Sequence, residues 1–235
     1  MSEFELVTLK TGIISLRSLE NRETYHPVTG PKIEANVLHV VQQRLKERAE
    51  AAIGRFVIWD VGFGAAANAL AAIEALEDSS AEIEIHSFDK TIAPIRFALS
   101  HCTELDYLNG HQENILRLIS EKKVALSQRL QWSLHVGDFR ETIKDLSIPS
   151  PHTVIYDPYS PVGNPEMWAL EHFSNLYRRL DPEIPCLLTN YTRSTSVRVT
   201  LLLSGFCVGV GTEVGEKAET TVASNRVEML ERPLR

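Results

Sequence analysis

Cysteine is scarce in this chain: three in 235 residues, at positions 102, 186 and 207, and no Cys-x-x-Cys pair. That excludes a disulfide framework and a cysteine-built zinc module, and predicts buried thiols in a reducing, cytoplasmic setting. No metal ligand set is expected. Long apolar runs are missing too, so no membrane span is expected. The N-terminal MSEFELVTLK carries charges where a secretory leader needs an apolar centre. Positive charge is also short. A formal net charge of −7 gives no overall attraction to nucleic acid, so any RNA partner would need a local basic face.

What is present is the composition of an ordinary soluble core, 43% hydrophobic and 23% charged. Four apolar runs each reach an aspartate at or near their end: FVIWD (56–60), EIEIHSFD (82–89), QWSLHVGD (131–138) and HTVIYD (152–157). IPCLLTNY (184–191) repeats the run without the acid. Between them lie AANALAAIEAL, IAPIRFALSHC, ETIKDL and PEMWALEHFSNLYRRL, rich in helix formers or helically spaced. This alternation predicts an α/β fold, a mostly parallel sheet covered on both faces. After the helix STSVRVTLLLSG, FCVGVGTEVGEKAETTVAS reads as two strands around a GEK turn, a C-terminal antiparallel hairpin. Residues 1–50 read as an N-terminal extension: short strands near LVTL and GIISL, the turn-rich HPVTGPK, and a helix from about Ile33 to Ala51. Residues 51–235 then form the main domain.

WDVGFGAAANAL joins the first core strand to a helix. Gly62 and Gly64 let the backbone turn sharply and approach a ligand, and the helix start behind them offers free N–H groups. As Gly-x-Gly-x-x-Ala the stretch fits a dinucleotide loop, with Asp89 at the offset for a ribose-binding acid. Asp60 also makes it Asp-x-Gly-x-Gly, the pattern of Rossmann-like S-adenosylmethionine-dependent methyltransferases. In that reading Asp60 orients the cofactor ammonium, Asp89 accepts from the ribose hydroxyls and Asp138 accepts from the adenine amino group. Three acids at successive strand ends suit a cofactor bearing a sulfonium and an ammonium, and would repel a pyrophosphate. Phe63, Asn68, Lys90 and Phe139 sit inside the same motifs and complete the candidate cofactor set with Asp157.

The fourth strand ends on Asp157, followed by PYSPVGNPEMW. Asp-Pro followed by an aromatic resembles the (D/N)PP(Y/F) loop of amino-methyltransferases. A nitrogen nucleophile must aim its lone pair, so its hydrogens need fixed acceptors, and a protonated amine must lose a proton. Asp157 is the candidate catalytic residue on both counts. Pro158 and Pro161 would stiffen the loop. Tyr25, Tyr159 and Trp168 could stack on an unstacked base, and His26 could contact substrate or carry a proton.

Taken together, these motifs resemble the methyltransferase domain of the bifunctional tRNA 5-methylaminomethyl-2-thiouridine biosynthesis enzyme and its standalone relatives. The resemblance runs roughly from Glu23 to Ser224 and rests on ETYHPVTGPKIEANVLHV, WDVGFGAAANAL, HSFDK, HVGDF, NYTRSTSVRVTLLLSGF and, above all, DPYSPVGNPEMW. It implies a Rossmann-like fold, S-adenosylmethionine as cofactor, and methyl transfer to the aminomethyl nitrogen of a tRNA wobble uridine near Asp157. Ala66 stands where a third loop glycine is expected. No flavin oxidoreductase domain accompanies the motifs, so a separate upstream enzyme is expected to prepare the amine. Phosphate contacts would come from Arg178, Arg179, Arg193, Arg198 and Lys32, with Arg193 counted among the substrate residues. Three other readings stay open: methylation of a small amine, a nicotinamide-dependent oxidoreductase, and a non-catalytic RNA-binding or assembly protein. The sequence has no Tyr-x-x-x-Lys pair to favour the oxidoreductase.

Overall fold

The computed structural model describes residues 3–215 and 218–234. Its main sheet has eight strands: β4 (Arg55–Val61), β5 (Glu82–Asp89), β6 (Lys123–Ala125), β7 (Leu130–Val136), β8 (Thr153–Tyr156), β9 (Leu187–Asn190), β10 (Cys207–Val210) and β11 (Thr221–Ser224). Their order is β10-β11-β9-β8-β4-β5-β7-β6. The five strands from β7 to β9 are parallel, and β11 lies antiparallel to both β9 and β10. The mostly parallel sheet and the C-terminal hairpin are therefore as the alternation predicts. Of the expected GEK turn, residues 216 and 217 lie outside the described residues. The antiparallel edge strand β6 and the helix at Gln112–Glu121 were not anticipated.

Alternate residues of the parallel strands face two apolar layers, which is why the runs read as continuously hydrophobic. Phe56, Ile58, Ile83, Ile85 and Ile155 pack with helix α3 (Ala67–Leu76) on one face. Val57, Trp59, Val154 and Leu188 pack with Phe173 and Leu176 of helix α7 (Leu170–Arg178) on the other. Sequence order reverses between β4 and β8, so the crevice beyond their carboxyl ends is where such sheets bind ligands.

PEMWALEHFSNLYRRL is not one helix. A 3-10 turn at Pro165–Trp168 ends at Ala169, whose extended backbone (ψ 152°) breaks the run before α7. The N-terminal segment forms its own antiparallel sheet of β1 (Phe4–Thr8), β2 (Ile14–Ser18) and β3 (Glu23–Thr24). The single helix expected from Ile33 to Ala51 is also broken: α1 (Pro31–Ala35) widens into a π-helical stretch at Asn36–Val41, then left-handed Arg44 (φ 47°) precedes α2 (Leu45–Ala51). The wider turn brings both His39 and Gln43 onto Thr189 Oγ1, at 2.8 and 2.7 Å. Arg48 continues the attachment, bonding Thr153 Oγ1 at 3.0 Å. The division expected at residues 50 and 51 falls inside α2.

Candidate active site

β4 runs into the glycine loop and α3, and the loop is held by its neighbours. The N–H groups of Gly62 and Phe63 both donate to the Phe88 carbonyl at 3.0 Å. Gly62 has φ +93°, and a Cβ there would lie 2.5 Å from the Asp157 carbonyl oxygen. A side chain at that point is therefore excluded by backbone, not merely disfavoured. Gly64 (φ +53°) faces the ring of Tyr25, 3.0 Å from where its Cβ would stand. Ala66 accepts a left-handed conformation (φ 68°) immediately before α3.

A cavity of about 670 Å³ opens over this loop. Gly62, Phe63, Gly64, Asn68, Asp89, Lys90, Asp138, Phe139 and Asp157 line it, as do Tyr25, His26, Pro158 and Tyr159. Strand ends β4, β5, β7 and β8 thus converge on one space, as a doubly covered parallel sheet requires.

The four carboxylates differ in environment. Asp89 Oδ2 accepts from the Gly64 N–H at 2.8 Å and Oδ1 from the Thr91 N–H at 3.1 Å, so this acid shapes the glycine loop. Burial pushes its pKa up, against those hydrogen bonds. Asp138 caps helix α6 (Phe139–Thr142), accepting from the Arg140 N–H at 3.0 Å, and its carboxylate also meets the Arg140 guanidinium. Arg140 holds its carboxyl below the usual range. Asp157 Oδ2 accepts from Asn68 Nδ2 at 2.8 Å.

Asp60 is the exception. It is fully buried beneath the loop and is not part of the cavity wall. Alternation explains this: Asp60 shares the α3 face with Phe56 and Ile58. Its Oδ2 accepts from Ser87 Oγ at 2.7 Å, and that oxygen accepts from Trp132 Nε1 at 2.9 Å. Its Oδ1 is buried without a hydrogen-bond partner. Burial pushes its carboxyl up to about 7, with Asp157 and Asp89 adding repulsion. The role expected of Asp60, orienting the cofactor ammonium directly or through water, would therefore be exercised from one layer below the cavity wall.

The opposite wall belongs to the N-terminal segment and the Pro-rich loop. Tyr25 and Tyr159 join hydroxyl to hydroxyl at 2.5 Å, rings edge to face at 5.7 Å between centroids. Glu23 accepts from the Ser160 N–H at 3.0 Å and from its hydroxyl. Tyr191 donates to the Pro158 carbonyl at 3.2 Å. Trp168 stands apart from the cavity: it is buried against Tyr156 and Tyr191, its indole N–H donating to the Tyr159 carbonyl at 2.8 Å. It supports the loop from behind and does not offer a stacking face.

A model of the S-adenosyl-L-methionine-dependent methyltransferase family matches residues 104–226, just over half of the chain. The chain belongs to this family. Two curated relatives carry the name tRNA 5-methylaminomethyl-2-thiouridine biosynthesis bifunctional protein MnmC. The one from Pseudomonas fluorescens is 28% identical over 79% of this chain and 29% of its own length. The one from Methylibium petroleiphilum is 26% identical over 86% of this chain and 31% of its own length. The chain thus spans about three tenths of these relatives. A crystal structure of MNMC2 from Aquifex aeolicus superposes with a TM-score of 0.77 at 29% identity, covering 96% of this chain and 72% of that one.

This is an S-adenosylmethionine-dependent methyltransferase, and the cavity fits that cofactor. Gly62 and Gly64 keep its floor free of side chains, while Asp89, Asp138 and Asp157 supply carboxylates for a cationic, hydroxyl-rich molecule. The family match sets aside the dinucleotide reading of the same loop.

The basic candidates are mostly engaged elsewhere. Arg198 bonds Glu219, Thr221 Oγ1 and the Thr220 carbonyl, tying helix α8 (Thr195–Leu203) to β11. Arg179 donates to the Ile148 carbonyl at 2.7 Å and covers the Trp59 ring. Lys32 pairs with Glu74 at 3.1 Å, and Arg178 bonds Asn175 on its own helix. Arg193 is exposed and lies outside the cavity lining. Sequence reasoning missed Ser87, Glu23 and Tyr191, because each acts through a partner remote in the chain. Among the described residues, no group of three or more His, Cys, Asp or Glu is placed to hold a metal, and no helix is long and apolar enough to cross a membrane.

Proposed function

We propose that this methyltransferase acts on the primary amine of a 5-aminomethyl-uridine at a tRNA wobble position, giving the methylaminomethyl product. The observation that carries the reading is Asp157. It directly follows β8 at the topological switch point, lines the cavity, and has one carboxylate oxygen fixed by Asn68. The names of the relatives in the matched region point to the same substrate class.

S-adenosylmethionine, when bound, supplies a methyl group on a cationic sulfonium. The chain's residues do the rest. Gly62, Phe63 and Gly64 would hold its aminoacyl end, Asp89 its ribose and Asp138 with Phe139 its adenine. Asp157 would bind the acceptor ammonium, take up its proton and hold the remaining N–H so the lone pair is aimed. Tyr25, Tyr159 and Pro158 would wall the acceptor in and exclude water. The amine must already be exposed on the uridine before transfer.

A second reading has its own support. The cavity wall carries Glu3, Glu20, Glu23, Glu34, Asp89, Asp138, Asp157 and Glu166 against Lys90 and Arg140. That surface favours a cationic acceptor and repels phosphate, so a free alkylamine is the competing substrate. The deciding experiment offers labelled S-adenosylmethionine with tRNA bearing 5-aminomethyl-2-thiouridine, and separately with free nucleoside and polyamines. Label recovered in 5-methylaminomethyl-2-thiouridine from tRNA supports the first reading. Label on the small amines alone supports the second.

A further inference from the structure

Asn68 reads in the sequence as part of the glycine-loop motif, a contact for the cofactor. The structure gives its side chain a different occupation. Asn68 is the second residue of α3, just after left-handed Ala66, and is 4% exposed. Its Nδ2 reaches across 89 residues of sequence to Asp157 Oδ2 at 2.8 Å. Main chain locks the same two elements: the Asp157 N–H donates to the Val61 carbonyl at 2.9 Å, and Gly62 abuts the Asp157 carbonyl. Helix start, glycine loop and strand end therefore form one rigid unit around this carboxylate.

The neighbours of Asp157 suit such a donor. Asp60 from β4 repels it from below, and Tyr191, just past β9, is electrostatically coupled to it. Tyr25, Tyr159 and Asp89 line the same cavity, Asp89 at the end of β5 with β4 between it and β8. A carboxylate among acids tends to pick up a proton and lose the ability to bind an ammonium. A lysine or arginine beside it would keep it ionised but would compete with the substrate cation. A neutral amide donor does neither. It favours the ionised form through one hydrogen bond, fixes the plane of the carboxylate, and leaves its negative charge for the amine.

We propose that Asn68 is the positioning residue of Asp157: its amide keeps that carboxylate ionised and turned toward the acceptor amine, and it is not chiefly a cofactor contact. This rests on the reading of Asp157 as the amine-binding acid. It predicts a specific split between chemistry and cofactor affinity.

The test compares Asn68→Ala, which removes the donor, with Asn68→Asp, which keeps the shape and sets acid against acid. Two measurements are made on the S-adenosylhomocysteine complex and on turnover. The first follows the Asp157 carboxyl carbon by NMR in protein labelled at aspartate, with Asp157→Asn used to assign the resonance. Its titration midpoint should rise by about one unit in Asn68→Ala and further in Asn68→Asp. The second is kcat against pH at saturating cofactor. The acid limb should move up with the midpoint and kcat at pH 7 should fall roughly 10- to 100-fold, while S-adenosylhomocysteine affinity stays within about threefold. An unmoved midpoint in both variants overturns the inference. So does a loss of cofactor affinity as large as the loss of kcat. Should Asn68→Ala melt early, the isosteric Asn68→Asp decides. If the wild-type protein leaves aminomethyl-uridine tRNA unmethylated, the acceptor assignment fails, and the carboxyl midpoint still tests Asn68.

Discussion

A Cβ on Gly62 would stand 2.5 Å from the carbonyl oxygen of Asp157. The glycine loop and the chain just past β8 are thus in main-chain contact, with no side chain between them. Gly62→Val should abolish S-adenosylhomocysteine binding, weakening it more than about 100-fold, because the loop must retreat from β8. Gly110 is the control. It too has positive φ (+84°), but nothing lies within 4 Å of its Cβ position. Gly110→Ala should cost only about 1 kcal/mol of stability and leave binding intact. Isothermal titration of both variants checks this; normal binding by Gly62→Val would remove the loop from the site.

Asp157→Asn should separate binding from chemistry. The asparagine keeps the shape and can still accept from Asn68, but it carries no charge for an ammonium and takes up no proton. Methyl transfer should fall about 10²- to 10⁴-fold, with S-adenosylhomocysteine affinity unchanged within a few fold. Full turnover by this variant would sink the amine-binding role.

The main sheet was legible because its signals are local. Runs such as FVIWD and EIEIHSFD are apolar, strand-length and bounded by turns, and they become β4 and β5 with little change of boundary. The glycine loop was legible because Gly62 and Gly64 are required by backbone geometry. Long-range decisions were not. Nothing near Asp60 shows that its side chain falls beneath the loop, since that depends on which sheet face α3 covers. Trp168 looks like a stacking residue until the break at Ala169 turns it into the core. Arg198 looks like a phosphate contact until β11 folds back against α8 and occupies it.

Tyr25 and Tyr159 help link the N-terminal segment to the Pro-rich loop through their hydroxyls, beside the Glu23 contact to Ser160. Burial pushes both phenols up, so the pair stays neutral throughout the working range. Tyr25→Phe and Tyr159→Phe should each cost about 1 kcal/mol in chemical unfolding, and the double variant should cost no more than about either one. Amide exchange of residues 158–164 should quicken in both. Strict additivity of the two losses would mean the hydroxyls do not act together.

Asp60 gives the site a proton to lose. Its pKa, about 7 in the folded protein, lies far above the ordinary carboxylate value that the unfolded chain restores. The folded state therefore binds more protons than the unfolded state between about pH 4 and 7. The stability this contributes is complete below about 4 and is lost as pH rises through 7. The cofactor-free protein should melt progressively lower from pH 5 to 8, and Asp60→Asn should flatten that slope. A cationic ligand reverses the preference by favouring the charged acid, so S-adenosylmethionine should bind more tightly as pH rises through 7, releasing protons as it does. Calorimetric titration at pH 6.5 in buffers of different ionisation enthalpy reads that release directly. Asp60→Asn should abolish it. A release that persists unchanged in the variant would assign the proton to another group, with Asp89 the next to test, since burial raises its pKa as well.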